Sequence, residues 1–534
     1  MPHRQAKQPH KIKDITATHR AESLPALLEA YYAALWETVE EKTGKKNRGG
    51  YPSIRSVGRE VQTLQRGLTG ARTLAGSGYF SSDAFLEAYL LYYWPVSFVE
   101  TYLALMELEA RGAPLPVGRI LDLGAGPGPA SLACDEFFGA PATRAGADNC
   151  SGADNCSGAD IPGGATECGS TLIDANGTAL AMADKIGARR AMQKRTYDVS
   201  GTQKNSAPRL TCIEYDLQRA DPEGGGEGQN FSRFLHERAP GPYGIIVACH
   251  CLNELWQDQP EAYAVERRVS LLRQACEELQ DDGILLVIEP AAAVAGRPAL
   301  MVRDRLLSDA GRLIPRYHFS CIGPCTGSFA CPAIASGSER SCHSTWPWAV
   351  TGTLAELAAE AGLDRDSAKA TWFALRKSAV AIESPANTLG LHGELPPAAC
   401  PTTSRVPPTS THSEAGSATG ADACVSGVRE ETGTAAATSS SKVSGSAVRG
   451  RVISESLLNK AGRIRYLFCT DDGLATISAH SADERAQNLG FFTLERGDIV
   501  EARGLEIRPG TRNFGVADNT ELSFIVKIPH VGRG

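Results

Sequence analysis

The fold of this chain is indicated by the stretch Ile120-Leu121-Asp122-Leu123-Gly124-Ala125-Gly126-Pro127-Gly128-Pro129. A short apolar run leads into three glycines at alternate positions, and Pro129 suits the first position of a following helix. Glycines in this pattern let the backbone approach a ligand closely, and a helix N-terminus attracts a carboxylate or a phosphate. A nicotinamide-binding turn would have glycine where Pro129 stands. The stretch therefore predicts a strand, a ligand-binding turn and a helix of a Rossmann-like sheet.

From Gly118 onwards, apolar runs and helical patterns alternate along the chain, whereas Leu24 to about Arg111 has a helical pattern. This alternation predicts an α/β fold with a doubly wound parallel sheet. The candidate strands are Arg119–Leu123, Ser170–Asp174, Arg209–Tyr215, Gly244–Ala248 and Gly283–Glu289, and the clearest helix is Ala262–Leu279. We predict a disordered basic tail (1–20), a helical domain (21–115), a Rossmann-like domain (116–383) with a cysteine-rich metal loop (317–343), a disordered linker (384–450) and a small β domain (451–534), of which an OB barrel is one form.

Composition limits the classes of protein that this chain can belong to. Its 534 residues suggest two to four domains, and a formal net charge of −7 excludes binding to nucleic acid by bulk positive charge. No apolar run is long enough for a membrane span, and the polar start of the chain predicts no secretory signal. We therefore expect a cytoplasmic protein, in which the 15 cysteines are thiols or metal ligands rather than disulfides.

The spacing Asp122-x-Gly124-x-Gly126-x-Gly128 resembles motif I of class I S-adenosylmethionine-dependent methyltransferases. Asp174 ends the next strand, where this fold needs a carboxylate to accept the ribose hydroxyls. Asp216 follows one strand later, where methyltransferases of this class contact the adenine amino group. The alternative for both acids is a helix cap or a solvated loop position. The glycine motif, Asp174 and Asp216 are thus the candidate residues for binding S-adenosylmethionine.

The exit of the fourth strand leaves the catalytic residues unknown. No Asn/Asp-Pro-Pro-Tyr motif follows it, which argues against methylation of amino groups. Cys249 and Cys251 are weak candidates for a nucleophile in pyrimidine methylation, and small buried hydrophobic residues are the alternative. His250 is an equally weak candidate for a general base.

A second group of candidates follows the fifth strand. Cys321, Cys325, Cys331 and Cys342 lie within 22 residues, interleaved with glycine and proline, as suits a loop around a metal. Thiolates bind either zinc or an iron–sulfur cluster, and a chance group of free thiols is the alternative. The spacing argues against radical S-adenosylmethionine chemistry, because Cys321-x3-Cys325 is followed by five residues rather than two before the next cysteine. A fourth ligand could be Cys321, His343 or the distant Cys469.

The combined pattern resembles the methyltransferase-like assembly factors of the small ribosomal subunit, which occur in mitochondria and in bacteria. The resemblance rests on Ala88–Pro95, the glycine motif, Glu289-Pro290, Pro324-Cys325…Cys331-Pro332…Cys342-His343, Arg451–Ile453 and Leu467–Gly473. It implies a [4Fe–4S] cluster held by Cys325, Cys331, Cys342 and Cys469, with Cys321 as a bystander or a spare ligand. It also implies binding of S-adenosylmethionine. At the four cysteines, zinc is the alternative to the cluster.

Two functions remain open from the sequence. The first is an assembly factor that docks on small-subunit ribosomal RNA, is a monomer away from the ribosome and does not bind membranes. Its candidate phosphate contacts are Arg189, Arg190, Lys194 and Arg195, for which a solvated helix face is the alternative. The second is an active class I RNA methyltransferase. Because the fourth strand carries no strong catalytic motif, the sequence favours the assembly factor.

Overall fold

The computed structural model describes residues 11–44, 54–70, 80, 82–116, 118–139, 169–193, 210–220, 230–308, 317–336, 342–350, 352–363, 365–379, 447–507, 511–527 and 531. These residues belong to one compact unit. Most of the three polar segments between the predicted strands (139–169, 199–208 and 220–228) and most of the predicted linker lie outside the described residues.

A sheet of eight strands forms the centre of the chain, and five of its strands are parallel. The parallel strands are β1 (Arg119–Leu123), β2 (Ser170–Asp174), β3 (Leu210–Glu214), β4 (Tyr243–Cys249) and β5 (Leu279–Pro290). Their spatial order is β3-β2-β1-β4-β5. Strand β1 has four fully buried positions out of five, as its apolar run predicts for a strand with both faces covered.

The other three strands of the sheet join at the β5 edge. They are β6 (Tyr317–Gly323), β7 (Ser344–Pro347) and β8 (Ser367–Ala379). Strand β8 runs antiparallel to β5, and both β6 and β7 pair with β8. The order is therefore β3-β2-β1-β4-β5-β8-β6, with an antiparallel strand inserted next to the last one.

Helices cover both faces of this sheet. Between consecutive strands the chain forms seven described helices: α5 (Pro129–Gly139), α6 (Gly177–Gln193), α7 (Phe231–Arg238), α8 (Glu261–Ala275), α9 (Ala293–Leu307), α10 (Pro332–Ala335) and α11 (Gly352–Glu360). Helices α7, α8 and α9 contribute to the core on one face. Helix α5 and the N-terminal helices contribute to the core on the other. The α/β doubly wound fold predicted from the sequence is confirmed.

The N-terminal helices are α1 (Lys11–Thr43), α2 (Ile54–Gln65), α3 (Asp83–Ala88) and α4 (Trp94–Ala110), with π-helical turns at Arg66–Gly70 and Tyr89–Tyr93. They share one hydrophobic core with the sheet instead of forming a core of their own. The Trp94 indole, for example, donates a hydrogen bond of 2.9 Å to the Pro127 carbonyl in the glycine turn. The predicted helical domain is thus an integral layer of the fold.

The predicted disordered tail is wrong in its second half. Residues 11–20 belong to helix α1, whereas residues 1–10 lie outside the described residues. Arg20 is buried, with its guanidinium 4.0 Å from the centre of the Phe137 ring and 3.2 Å from Glu109. A cation that covers an aromatic ring and pairs with a carboxylate adds to the core, and the basic composition of the tail gave no sign of this.

The C-terminal part is a β domain with its own core. Its elements are β9 (Val448–Val452), β10 (Leu457–Leu458), β11 (Arg463–Thr470), β12 (Gly473–His480), α12 (Glu484–Asn488), β13 (Ile499–Arg503), β14 (Glu506–Ile507), β15 (Asn513–Gly515) and β16 (Glu521–Val526). The main path of pairings runs β14-β15-β12-β11-β9-β13-β16, and β10 pairs with β11. The described pairings do not close this sheet into a barrel.

Most differences from the predicted elements are shifts of their ends. Helix α8 ends at Ala275 instead of Leu279, because a 3₁₀ turn and strand β5 follow directly. Strand β9 begins at Val448, within the predicted linker. No helix in the part of the chain that the structure describes is long and apolar enough to cross a membrane.

Candidate functional site

A crevice opens where the order of the parallel strands reverses, at the carboxyl ends of β1 and β4. Ligands bind at this position in open α/β sheets, because the connections diverge to opposite faces there. The crevice encloses about 710 Å³, part of which is open to solvent. Its walls include Gly124, Gly126, Asp174 and Asp216, four of the six residues predicted to bind the cofactor.

The glycine turn after β1 requires glycine for its backbone conformation. Gly124, Gly126 and Gly128 have φ angles of 67°, 51° and 74°. L-residues with a Cβ rarely adopt this left-handed region. The amide of Gly124 donates to the Ile173 carbonyl at 2.8 Å, which fixes the turn to strand β2. Gly128 packs against Leu172 and Ala183 instead of lining the crevice.

We expect Gly124→Ala to destabilise the chain strongly. A Cβ at this residue would overlap the Cβ of Cys251, in addition to the strain of the positive φ. Strain of about 1–2 kcal/mol and overpacking of about 1–3 kcal/mol predict a loss of about 2–5 kcal/mol in the free energy of unfolding.

Urea denaturation of the full chain measures this loss. Gly44→Ala is the matched control, since Gly44 has a φ of 65° and a Cβ added there would meet no heavy atom within 4 Å. We expect the control to lose only the strain contribution. Equal losses for the two variants would contradict the packing of Gly124 on Cys251.

Asp174 links the turn to the next strand. Its Oδ2 accepts a hydrogen bond of 2.8 Å from the Gly126 amide, and its Oδ1 accepts one of 2.8 Å from the Asn176 amide. Burial raises the pKa of Asp174, although these two bonds oppose the shift. A carboxylate held this firmly at the crevice wall has one fixed orientation towards a ligand.

Asp216 lies on the same wall, after β3. Its Oδ1 accepts a hydrogen bond of 3.0 Å from the Gln218 amide, so it caps the 3₁₀ turn Leu217–Arg219. Asp216 therefore caps a turn, which was the alternative to cofactor binding. It also lines the crevice.

Asp122 lies beneath the turn, outside the crevice wall. It is 1% exposed, and its Oδ2 accepts hydrogen bonds from the amide and the hydroxyl of Ser131 at 3.1 and 2.7 Å. Burial raises the pKa of Asp122 to about 7, while the Ser131 bonds oppose the shift. Asp122 thus fastens the start of helix α5 to strand β1.

The raised pKa of Asp122 predicts a pH dependence of stability. In the unfolded chain the pKa is about 3.9, so between about pH 4 and pH 7 the folded state holds the proton more tightly. The contribution of this residue is therefore fully present below about pH 4 and is lost as the pH rises to about 7. We expect Asp122→Asn to flatten this decline by up to about 4 kcal/mol.

Unfolding free energies measured between pH 4 and pH 8 check this expectation. Asp184→Asn is the control, because Asp184 is exposed on helix α6. An unchanged slope in the Asp122 variant would show that its carboxyl group ionises normally.

The far wall of the crevice combines the β4 exit with the N-terminal helices. The end of β4 and the residues after it contribute Cys249, His250, Cys251 and Glu254. The N-terminal part of the chain contributes Phe80 and Tyr89. No sequence motif pointed to Phe80 or Tyr89. The neighbouring Tyr92 and Trp94 are fully buried and belong to the hydrophobic core. Tyr89 sits about one helical turn earlier, in the π-helical segment that reaches the crevice.

The four predicted metal ligands lie within electrostatic range of one another at the junction of the central sheet and the β domain. Burial raises the pKa of Cys469, and the charges of Cys325, Cys342 and Cys331 raise it further. Cys469 lies on β11, and the other three lie in and after the loop that follows β6. Thiols that alter one another's ionisation must be near neighbours.

The four thiols differ in their ionisation. The pKa of Cys325 is lowered to about 6 by a hydrogen bond from Cys321 and by nearby arginines, against the effect of burial. Burial raises the pKa of Cys331 to about 12 and also raises that of Cys342. Cys321 donates weakly to the Gly323 carbonyl, at 3.5 Å. Among the described residues, no three His, Cys, Asp or Glu side chains are arranged closely enough to hold a metal ion.

Three arginines lie against these thiols, and no sequence pattern singled them out. Arg451 is 2% exposed and Arg303 is fully buried, and with Arg111 they are the cations that lower the pKa of Cys325. Arg451 donates to the Cys342 sulfur at 3.7 Å and to the Ser344 hydroxyl at 2.5 Å. The Nε atoms of Arg111, Arg303 and Arg451 are buried without a hydrogen-bond partner among the described atoms. Buried cations of this kind require negative charge nearby, which Glu107 supplies to Arg111 and Asp304 supplies to Arg303, each at 2.5 Å.

The predicted phosphate contacts on helix α6 are engaged within the chain. Arg189 forms ion pairs with Glu37 and Glu41 of helix α1. Arg190 pairs with Glu136 at 3.1 Å. Lys194 and Arg195 lie outside the described residues. Arg189 and Arg190 therefore join α6 to α1 and α5. Both alternatives considered from the sequence, RNA contacts and a solvated helix face, missed this role.

The sheet order and its antiparallel penultimate strand define a Rossmann-like fold of the methyltransferase type. Comparison with solved structures finds methyltransferases. The plantazolicin methyltransferase BpumL in complex with SAH has 12% identity, covers 61% of this chain and 97% of its own, and gives a TM-score of 0.25. TrmN from Thermus thermophilus has 14% identity over 54% of this chain and 53% of its own, with a TM-score of 0.25. The mitomycin 7-O-methyltransferase MmcR has 15% identity over 45% and 52%, with a TM-score of 0.23.

Searches by sequence return no relatives. No protein-family model matches this chain, and no curated protein matches it. The topology of the sheet itself is therefore what defines the fold class.

Proposed function

We propose that this chain is an assembly factor of the small ribosomal subunit that binds S-adenosylmethionine and a [4Fe–4S] cluster. The cluster ligands would be Cys325, Cys331, Cys342 and Cys469. The observation that carries the proposal is the group of three buried arginines, with unpartnered Nε atoms, around these four thiols.

The chemistry of the donors fits such a cluster. Four thiolates are the usual ligands of [4Fe–4S] centres, and zinc is the alternative that the same donors allow. A tetrathiolate centre of either kind carries a net negative charge, which would offset the buried guanidinium groups. Hydrogen bonds to the sulfurs would also satisfy their free N–H groups. When bound, the cluster would tie the loop after β6 to strand β11 and could exchange one electron.

Binding of S-adenosylmethionine is supported by the crevice. Asp174 is fixed by two backbone amides at the position where a ribose would lie, next to the glycine turn. Asp216 stands one strand further out, where the adenine amino group would lie.

Docking on ribosomal RNA needs exposed cations. Arg189 and Arg190 are paired with carboxylates of the chain. The candidate contacts to RNA phosphates are therefore exposed cations of the β domain, namely Arg449, Lys460, Arg465 and Lys527. Phosphate contacts from such residues position a protein on RNA without reading its sequence. The cysteine arrangement remains the reason to choose the small ribosomal subunit as the partner.

The proposal is tested by purifying the chain without air. Iron and acid-labile sulfide are measured in the purified protein, and co-sedimentation with isolated small ribosomal subunits is measured in parallel. We expect a brown protein with about four irons and four sulfides per chain that sediments with the subunit. A colourless protein with one zinc would exclude the cluster, and failure to sediment would exclude the partner.

An active RNA methyltransferase is the second candidate. The observation in its favour is that Cys249 and His250 line the crevice at the end of β4. Transfer of a labelled methyl group from S-adenosylmethionine to small-subunit RNA, lost in a Cys249→Ser variant, would favour this function over the first.

A further inference from the structure

Cys249 and His250 line the far wall of the crevice, and Glu100 lies behind His250. His250 Nε2 lies 2.7 Å from Oε2 of Glu100, a residue of helix α4 that is 2% exposed. His250 directly follows Cys249, the last residue of β4. Two layers of the fold, the N-terminal helices and the sheet, thus meet in this group.

The backbone at His250 is held in an unusual conformation. Its φ is 57°, which is rare for a residue with a side chain, and its amide donates a hydrogen bond of 2.8 Å to the Ile288 carbonyl. This conformation turns the chain sharply at the end of β4. The imidazole consequently reaches Glu100 while Cys249 remains in the crevice wall.

The two cysteines at this position have different surroundings. Cys251 is 8% exposed, donates to the Leu123 carbonyl at 3.0 Å and packs beneath Gly124. It is therefore part of the packing of the turn. Cys249 is partly exposed, and Thr101 Oγ1 lies 3.7 Å from its sulfur, a weak contact. Of these two thiols, Cys249 is the one placed to react.

The electrostatics couple Cys249 to His250. Burial would lower the pKa of His250, but the charges of Cys249 and Glu100 raise it well above its ordinary value. Burial raises the pKa of Cys249, and His250 opposes that shift. A Cys249 thiolate and a His250 imidazolium thus stabilise each other, and Glu100 stabilises the imidazolium.

We propose that Cys249 is a methyl acceptor: its sulfur takes the methyl group of S-adenosylmethionine bound in the same crevice. This inference rests on the proposed binding of S-adenosylmethionine. Nδ1 of His250 has no hydrogen-bond partner among the described atoms, so it is free to accept the thiol proton while Nε2–H stays with Glu100. The Cys249 sulfur then forms a bond to the methyl carbon, the bond from that carbon to the sulfonium breaks, and its electron pair remains on the sulfur of S-adenosylhomocysteine.

The products of this step are S-methylcysteine and S-adenosylhomocysteine, and no other reactant is needed. Because a thioether cannot be deprotonated, the modified residue cannot react again. The reaction therefore stops after one turnover and leaves an apolar group at the end of the crevice. A methyltransferase-like crevice that modifies its own wall needs no acceptor site for a second substrate.

The test uses the full chain incubated with S-adenosylmethionine carrying a labelled methyl group. Peptide mass spectrometry then locates the label, and calorimetry measures binding of S-adenosylhomocysteine to the same preparation. We expect one labelled methyl per chain, on Cys249, and none on the other thiols. We expect His250→Gln to slow the labelling about 100-fold and Cys212→Ser, at an exposed thiol on β3, to leave it unchanged.

Two outcomes would overturn the inference. Binding of S-adenosylhomocysteine without a label on Cys249 would overturn the methyl-acceptor role and leave the proposed function intact. Absence of binding would overturn the nucleoside site and the inference together. The position of the label in the unmodified chain decides the question even if a variant fails to fold.

Discussion

Cys325→Ser is expected to leave the anaerobically purified chain almost without visible absorbance and without bound iron. Cys325 is the thiol whose pKa is lowered to about 6, so it is the one most readily available as a thiolate. Replacing its sulfur by a hydroxyl would remove one of four ligands and the negative charge that Cys325 places beside Arg451, whereas Arg303 would keep its ion pair with Asp304. Buried charges that lose a partner cost about 3–5 kcal/mol, so we also expect a less stable protein.

The controls separate ligands from bystanders. Cys212→Ser changes an exposed thiol away from the junction and should retain full iron and sulfide content. Cys321→Ser tests the fifth thiol, which hydrogen-bonds to Cys325. If Cys321 is a bystander, that variant keeps its iron; if it is a ligand in place of Cys469, the Cys469→Ser variant keeps its iron instead.

One result would contradict the proposed ligand set as a whole. If Cys325→Ser and Cys469→Ser both retain the iron and sulfide of the unmodified chain, the thiols at the junction do not hold a cluster. Glu107 and Asp304 would still balance Arg111 and Arg303, which leaves Arg451 as the cation without a carboxylate within ion-pair distance among the described residues.

Asp174→Ala is expected to weaken binding of S-adenosylhomocysteine by about 100-fold or more. A carboxylate that accepts two hydroxyl groups makes two charge-assisted hydrogen bonds, each of about 1.5–3 kcal/mol, and every 1.4 kcal/mol corresponds to a factor of about ten in affinity. The variant also removes the bond from the Gly126 amide, so the glycine turn loses a contact to β2. Calorimetry with purified full chain measures the change.

The matched control for this experiment is Asp184→Ala, an exposed acid on helix α6. It changes the net charge equally and should bind normally. Asp174→Asn keeps the shape of the side chain and should bind with intermediate affinity, because an amide oxygen still accepts one hydrogen bond. Unchanged affinity in Asp174→Ala would contradict the ribose role.

The parts of the fold that follow from local patterns could be predicted from the sequence. Strands β1 and β2 have the predicted end residues, because an apolar run bounded by glycine or an acid has one simple interpretation. The hairpin of β11 and β12 follows in the same way from Asp471-Asp472-Gly473. The position of Asp174 beside the turn follows from the parallel order of the strands.

The parts that depend on distant contacts could not be predicted. Glu100 lies on a helix that is buried along almost its whole length, and its partner His250 is 150 residues away. Arg451 belongs to a short strand and shows no sign in the sequence that it is buried against Cys342. Both are charged groups placed inside the protein by tertiary packing, which local composition does not encode.

The position of Cys469 on a C-terminal strand has a consequence for synthesis. A nascent chain exposes Cys325, Cys331 and Cys342 well before the ribosome reaches Cys469, because domains emerge from the N-terminal end first. Until then, three thiols and the arginines around them lack the strand that covers them. Maturation of the junction must therefore wait until strand β11 has been synthesised, and a product terminated before β11 would present an open, oxidisable set of thiols to quality-control proteases.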